Sequence, residues 1–219
     1  MAARTARALI EIGAVLIAPQ TPFTYTSGLI APIYVDCRKP IAYPRVRRRL
    51  TALALAKLEM AVGLEAFDAV AGGETAGIAY AAFLAEGLDL PMHYVRKAPK
   101  GFGRGAQIEG DLREGARVLL VEDLATDGGS KRVFVKALRE AGATVEHCLV
   151  LFHHDVFRDR PDRLQGLGLT LHSLARWADV MAAGRDTFPA ADLAEVEAFL
   201  ADPYAWSGAR GGLARPPEA

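Results

Sequence analysis

The sequence has no surplus of either charge: 26 Lys and Arg stand against 26 Asp and Glu in 219 residues. Nucleic acid and anionic membranes select proteins with excess positive charge, so the balance argues against either as the main partner and leaves only local basic runs to meet a small anion. Cysteine is scarce. Cys37 and Cys148 stand far apart without metal-ligand spacing, which excludes a disulfide scaffold and fits two reduced thiols in the cytoplasm. No run approaches the roughly 18 consecutive apolar residues of a membrane span. Residues 1–17 carry Arg4, Arg7 and Glu11 in an apolar-rich stretch with no small-residue cleavage pattern after it. They read as an amphipathic helix and not as a signal peptide. There is no internal repeat.

What is present is a chain that is 51% hydrophobic, long enough for one core with at most a small appended subdomain. Its middle alternates strand and helix patterns. Short apolar runs at 67–71, 92–95, 117–121, 148–152 and 169–174 predict buried strands. Between them, 50–62 and 78–84 read as helices, the latter closed by Gly87. Val133, Phe134, Ala137, Leu138 and Ala141 have helical spacing and stop at Gly142. Continuous apolar strands between helices predict an α/β fold: a mostly parallel twisted sheet flanked by helices. The first forty residues break the alternation. They hold Pro19, Pro22, Pro32 and Pro40 and predict a cap of short pieces. Residues 1–207 are expected to form a single domain, with about 1–45 as the cap and 208–219 as a flexible tail.

Ligands of open α/β sheets sit beyond the carboxyl ends of the strands, and three loops here leave such ends. In residues 118–130, Val-Leu-Leu-Val-Glu-Asp-Leu-Ala-Thr-Asp-Gly-Gly-Ser, a strand ends in Glu122 and Asp123 and runs through a small-residue loop into a helix. Glycines and a helix start can turn backbone N–H groups onto a phosphate. Carboxylates beside it would repel a phosphate but hold hydroxyls, so a sugar phosphate fits both halves. A second loop, 96–105, carries Arg96, Lys97, Lys100 and Arg104 with three glycines. It suits closure over a diphosphate leaving group, although a solvated basic loop has the same composition. The third, Gly72-Gly73-Glu74-Thr75-Ala76-Gly77, could meet another phosphate or simply make a tight turn.

The 118–130 segment resembles the phosphoribosyl diphosphate motif of type I phosphoribosyltransferases. With the 72–78 and 94–101 segments and the run Phe23-Thr-Tyr-Thr-Ser-Gly-Leu-Ile-Ala-Pro-Ile-Tyr-Val-Asp-Cys-Arg38, the likeness narrows to the orotate phosphoribosyltransferases over roughly residues 8 to 180. The resemblance implies a type I phosphoribosyltransferase-like fold whose small N-terminal hood covers the active site. It also implies transfer of ribose 5-phosphate from phosphoribosyl diphosphate to orotate with Mg²⁺, in pyrimidine (UMP) biosynthesis, by a cytoplasmic homodimer with shared sites. Arg96, Lys97 and Lys100 would bind the diphosphate. The phosphoribosyl group would lie on Glu122, Asp123, Leu124, Ala125, Thr126, Asp127, Gly128, Gly129 and Ser130. Thr126, Ser27, Gly28 and His154 would contact orotate, and Arg38 is a further cation for its carboxylate. Lys100, Glu122 and Asp123 would be catalytic, with Mg²⁺ held through diphosphate and ribose hydroxyls and not directly by protein groups. The sequence departs from the common pattern at Thr26, where Lys is usual, at Thr75-Ala76 for Tyr-Lys, at Phe102 for His, and at His154, which aligns best with an Arg. Another base as acceptor, or a non-catalytic phosphoribosyl diphosphate-binding regulator, are the alternatives.

Overall fold

The computed structural model describes residues 1–100, 107–126, 129–156 and 165–216, without the side chains of 129, 130 and 165. Helix α1 covers Ala2–Glu11 and so ends short of the expected Ile17. Gly13 turns with φ +64°, a conformation natural to glycine, and Val15–Ile17 becomes strand β1. The proline-rich pieces that follow are short, as expected. They are β2 (Phe23–Thr24), β3 (Ile30–Ala31), β4 (Ile33–Val35) and a 3₁₀ turn, Lys39–Ala42. β1 pairs antiparallel with β4, and β2 with β3.

The alternating part then begins. Helix α2 spans Pro44–Ala61, and strand β5 spans Ala69–Gly73. Helix α3 spans Ala76–Leu88. It runs past Gly87 and stops at Asp89, which is left-handed at φ 54°. Strand β6, Met92–Val95, lies as predicted, and a short β7, Ile108–Glu109, follows. Strand β8, Arg117–Ala125, runs on through the acidic pair. Helix α4 covers Gly129–Glu140, and β9 and β10 cover Thr144–His153 and Thr170–Arg176. Helices α5 (Trp177–Ala183), α6 (Ala190–Ala201) and α7 (Pro203–Gly208) complete the described chain.

The main sheet has the order β10-β9-β8-β5-β6-β7. Its pairings are parallel except for β7, which is an antiparallel edge. The predicted α/β sheet flanked by helices is the observed one. Side chains alternate across each strand, so β8 and β9 feed two cores. Leu119, Val121, Leu149 and Leu151 pack on the side that also buries Leu9, Leu50, Leu58, Tyr80 and Trp177. Val118, Leu120, Cys148 and Val150 pack on the other, against Phe134 and Leu138 of α4. Both faces are covered, which is why these strands read as unbroken apolar runs.

Residues 208–216, expected as a loose tail, turn back onto the hood. The N–H of Leu213 donates to the carbonyl of Gly28 at 3.3 Å, and the Arg210 guanidinium stacks 3.5 Å over the Trp206 ring while bonding Glu195 at 2.9 Å.

Candidate active site

The acidic pair sits near the carboxyl end of β8, and strand alternation sends its two side chains apart. Asp123 is half-exposed, and its Oδ1 accepts the N–H of Leu124 at 2.9 Å. Glu122 is buried and pairs with the ammonium of Lys131 at 3.3 Å, an equally buried group that also donates to the carbonyl of Leu124. The expectation that both carboxylates hold ribose hydroxyls is therefore divided. Asp123 is left half-exposed on the other side of the strand, while Glu122 ties β8 to the first turn of α4.

Glu122 also explains the glycine loop. A Cβ at Gly77 would lie 2.7 Å from Glu122 Oε1, and one at Gly72 would lie 2.7 Å from the carbonyl of Gly77. These glycines let α3 close directly onto β5 and β8. Close packing thus accounts for the loop without a second phosphate.

Of the basic loop, residues up to Lys100 are described; Phe102, Arg104 and the rest of 101–106 lie outside the described residues, as do Asp127 and Gly128. Arg96 pairs with Glu109 of β7 at 3.5 Å, and Lys100 pairs with the same carboxylate. The Lys100 hydrogen bond first, and the Lys100 and Arg96 charges with it, hold the Glu109 carboxyl below its usual range. The backbone N–H of Lys97 donates to Glu74 Oε2 at 2.8 Å, which joins the basic loop to the glycine loop.

Beside the β8 end lies a cavity of about 480 Å³, a size suited to a small ligand. The hood supplies Phe23, Tyr25, Thr26, Ser27 and Tyr34 to its walls. The sheet supplies Leu124, Thr126 and His154, and the C-terminal segment supplies Tyr204 and Leu213. Ser27 and Gly28 form the tip of the β2–β3 hairpin, where Gly28 takes φ +85° and its N–H bonds the carbonyl of Tyr25 at 2.8 Å. Three of the four residues expected at the base thus line one cavity; Gly28, next to Ser27, is not among the lining residues. Arg38 is exposed at the start of the 3₁₀ turn and is not among the lining residues.

His154 is buried in that wall. Its Nδ1 accepts the indole N–H of Trp177 at 2.9 Å, and its Nε2 lies 3.0 Å from the Tyr25 hydroxyl. That hydroxyl donates on to the carbonyl of Ile33 at 2.5 Å. Burial lowers the His154 pKa to about 4, so the ring is neutral at pH 7. Burial, with the neighbouring Tyr34, pushes the Tyr25 phenol upward and keeps it protonated.

The phosphoribosyl transferase domain family matches residues 48–165. The orotate phosphoribosyltransferase of Cereibacter sphaeroides is 56% identical over 208 residues, 94% of this chain and 90% of that one. The crystal structure of orotate phosphoribosyltransferase from Aeropyrum pernix superposes with a TM-score of 0.68 at 30% identity, covering 81% of this chain and 97% of that one. The UMP synthase of Leishmania donovani gives a TM-score of 0.76 at 27% identity over 91% of this chain, which spans only 42% of that protein. The chain belongs to the orotate phosphoribosyltransferase family.

Within this orotate phosphoribosyltransferase fold, two features of the site were beyond the sequence motifs. The pairing of Lys131 is one: the residue closes the resembling segment, yet only β8 running on to Ala125 makes it Glu122's partner. The C-terminal wall is the other. Tyr204 and Leu213 lie outside the matched family segment, and nothing in their spacing marks them.

Proposed function

We propose that this chain transfers the ribose 5-phosphate of phosphoribosyl diphosphate to orotate, giving orotidine 5′-monophosphate and diphosphate in pyrimidine (UMP) biosynthesis. One observation carries the reading: Leu124 and Thr126, within the phosphoribosyl motif, are also walls of the cavity under the hood. A base in that cavity lies next to a sugar held at the end of β8.

Displacement at the anomeric carbon passes through an oxocarbenium-like sugar. Asp123 holds ribose hydroxyls there and offsets the growing positive charge. Residues 127–130 take the 5-phosphate, aided by the start of α4 at Gly129, whose N-terminal dipole end is positive. Arg96, Lys97 and Lys100 hold the diphosphate as it leaves, which requires Arg96 and Lys100 to exchange Glu109 for the leaving group. Glu122 serves this site through Lys131 and the path of β8. Hydroxyls of Thr126, Ser27 and Thr26 face the base, while His154 holds Tyr25 in place. Orotate enters as an anion, so no strong general base is needed.

Mg²⁺ fits this donor set, because it commonly takes one or two carboxylates with substrate phosphates and waters, and Asp123 is a half-exposed carboxylate beside them. When bound, Mg²⁺ neutralises the diphosphate charge. A homodimer in which the Arg96 loop reaches the neighbour's site belongs to the same reading, supported by the resemblance of that loop. The single domain of residues 1–207 and the cytoplasmic compartment belong to it too. Buried, unpaired Cys37 and Cys148 fit a reducing compartment.

The test follows orotate absorbance with phosphoribosyl diphosphate and Mg²⁺, beside a Lys100→Ala variant. Turnover that needs both additives and falls steeply in the variant is expected. Diphosphate release with another base, and none with orotate, would overturn the substrate. Tight phosphoribosyl diphosphate binding without turnover on any base would instead mark a regulator.

A further inference from the structure

We propose that the C-terminal segment from Tyr204 to Leu213 is a wall of the base cavity and helps decide which base the enzyme accepts. The inference rests on reading that cavity as the orotate site.

The segment is built to hold its place. Asp202 caps α7 by accepting the Ala205 N–H at 2.9 Å, and Pro203 follows it as the first helical residue. Trp206 is buried against Phe199 of α6, and its indole N–H donates to Glu195 at 2.9 Å. The far side is fastened to the hood. Ser207 is fully buried, and its hydroxyl accepts the Ile30 N–H at 3.0 Å. A Cβ at Gly212 would lie 2.7 Å from Ile30 Cγ1, so the chain passes where only glycine fits. Leu213 then bonds the Gly28 carbonyl through its N–H at 3.3 Å, and its Cγ would lie 3.6 Å from a Cβ on Gly28.

These fastenings place Tyr204 and Leu213 in the lining of the cavity that Leu124 and Thr126 also line. An apolar side chain there limits the size of an acceptable base, since one methylene in such a pocket is worth about tenfold or more in discrimination. The same fastenings join the segment to the hairpin that carries Ser27 and Gly28. Hood and C-terminal wall therefore meet the base as one unit.

The experiment compares wild type with Leu213→Ala, Tyr204→Phe and Tyr204→Ala, each checked for its melting temperature. Steady-state kinetics vary orotate and phosphoribosyl diphosphate separately. A second panel offers orotates enlarged by a methyl-sized substituent. The expected result for Leu213→Ala and Tyr204→Ala is an orotate KM raised about tenfold, an unchanged phosphoribosyl diphosphate KM, and better use of the enlarged bases relative to orotate. Tyr204→Phe keeps the ring and should stay near wild type in base preference. Unchanged orotate KM and unchanged base preference in folded variants would overturn the proposal. So would a parallel rise of both KM values with a lowered melting temperature, because that marks a structural prop and not a wall. If wild type uses another base and not orotate, the orotate reading fails by itself, and the same variants measured with that base decide the wall.

Discussion

The indole N–H of Trp177 donates to Nδ1 of His154 across 2.9 Å, which leaves the neutral ring's proton on Nε2, facing the Tyr25 hydroxyl. Protonating the ring would put a second N–H against the indole donor and a charge in a buried site, consistent with a pKa lowered to about 4. His172, which is buried beside His147, is lowered to about 4 as well, by burial first and then by the neighbouring cationic groups. In the unfolded chain both titrate near 6.5. Above about pH 6.5 their contribution to stability is complete. As pH falls from there toward about 4, the unfolded state gains protons that the folded state refuses, and stability drops. The loss is on the order of 3 kcal/mol for His154 alone. Asp68, held low by its bidentate Arg117 pair, loses its contribution from about pH 5 downward, so most of the histidine window lies above it. Denaturant unfolding between pH 7.5 and 4.5 measures the slope, to which His93, also lowered by burial, adds, and His154→Gln should remove one of these contributors. A slope equal to wild type would contradict the neutral buried histidine.

Glu122 and Lys131 make the second prediction. Either side chain replaced alone leaves the other buried and charged without its counter-charge, which costs about 3 to 5 kcal/mol. Glu122→Leu and Lys131→Met are each expected to lower stability by that amount. The double variant should recover much of the loss, since an apolar pair of similar volume is often no worse than a buried ion pair. Urea midpoints of the four proteins give the coupling directly. Additive losses would mean that the two groups do not support each other.

The outcome at Glu122 shows where sequence reading stopped. Parallel strands and their order in the chain were legible because β8 and β9 are apolar on both faces, and the glycine and basic loops were legible by composition. The end of β8 was not. Glu122 and Asp123 look like loop carboxylates, yet backbone pairing runs on to Ala125 opposite His153, and this sets one carboxylate inward and the other outward. His154 read as a possible cation, because a sequence cannot show that Trp177, well over a loop away, takes one of its nitrogens. The C-terminal wall was hidden for a similar reason. Gly, Pro and Ala after residue 207 resemble a tail, whereas Gly212 is the residue that allows a close approach to Ile30.

Glu109 gathers Arg96 and Lys100 at the sheet edge and so competes with any diphosphate for them. Glu109→Gln removes the competing charge. The KM for phosphoribosyl diphosphate should fall by about twofold to fivefold, the scale of a partly exposed ion pair. The effect should shrink at high salt, because exposed charges are screened. Initial rates at low and high ionic strength test both points. A raised KM would show that Glu109 arranges the cations productively instead of withholding them.

Asp123 separates chemistry from stability. It is half-exposed and accepts the adjacent N–H of Leu124, so Asp123→Asn should leave the melting temperature close to wild type. The same change removes the negative charge proposed to face the ribose as it becomes cationic. Losing one preorganised group of this kind costs about 10²-fold in turnover. The kcat is expected to fall on that scale, with the KM for orotate little changed, because the cavity proposed for the base is lined by other residues. Glu122→Gln gives the contrast: its larger effect should be on stability, through Lys131. If instead Glu122→Gln lost the activity with full stability and Asp123→Asn kept it, the roles of the two carboxylates would have to be exchanged.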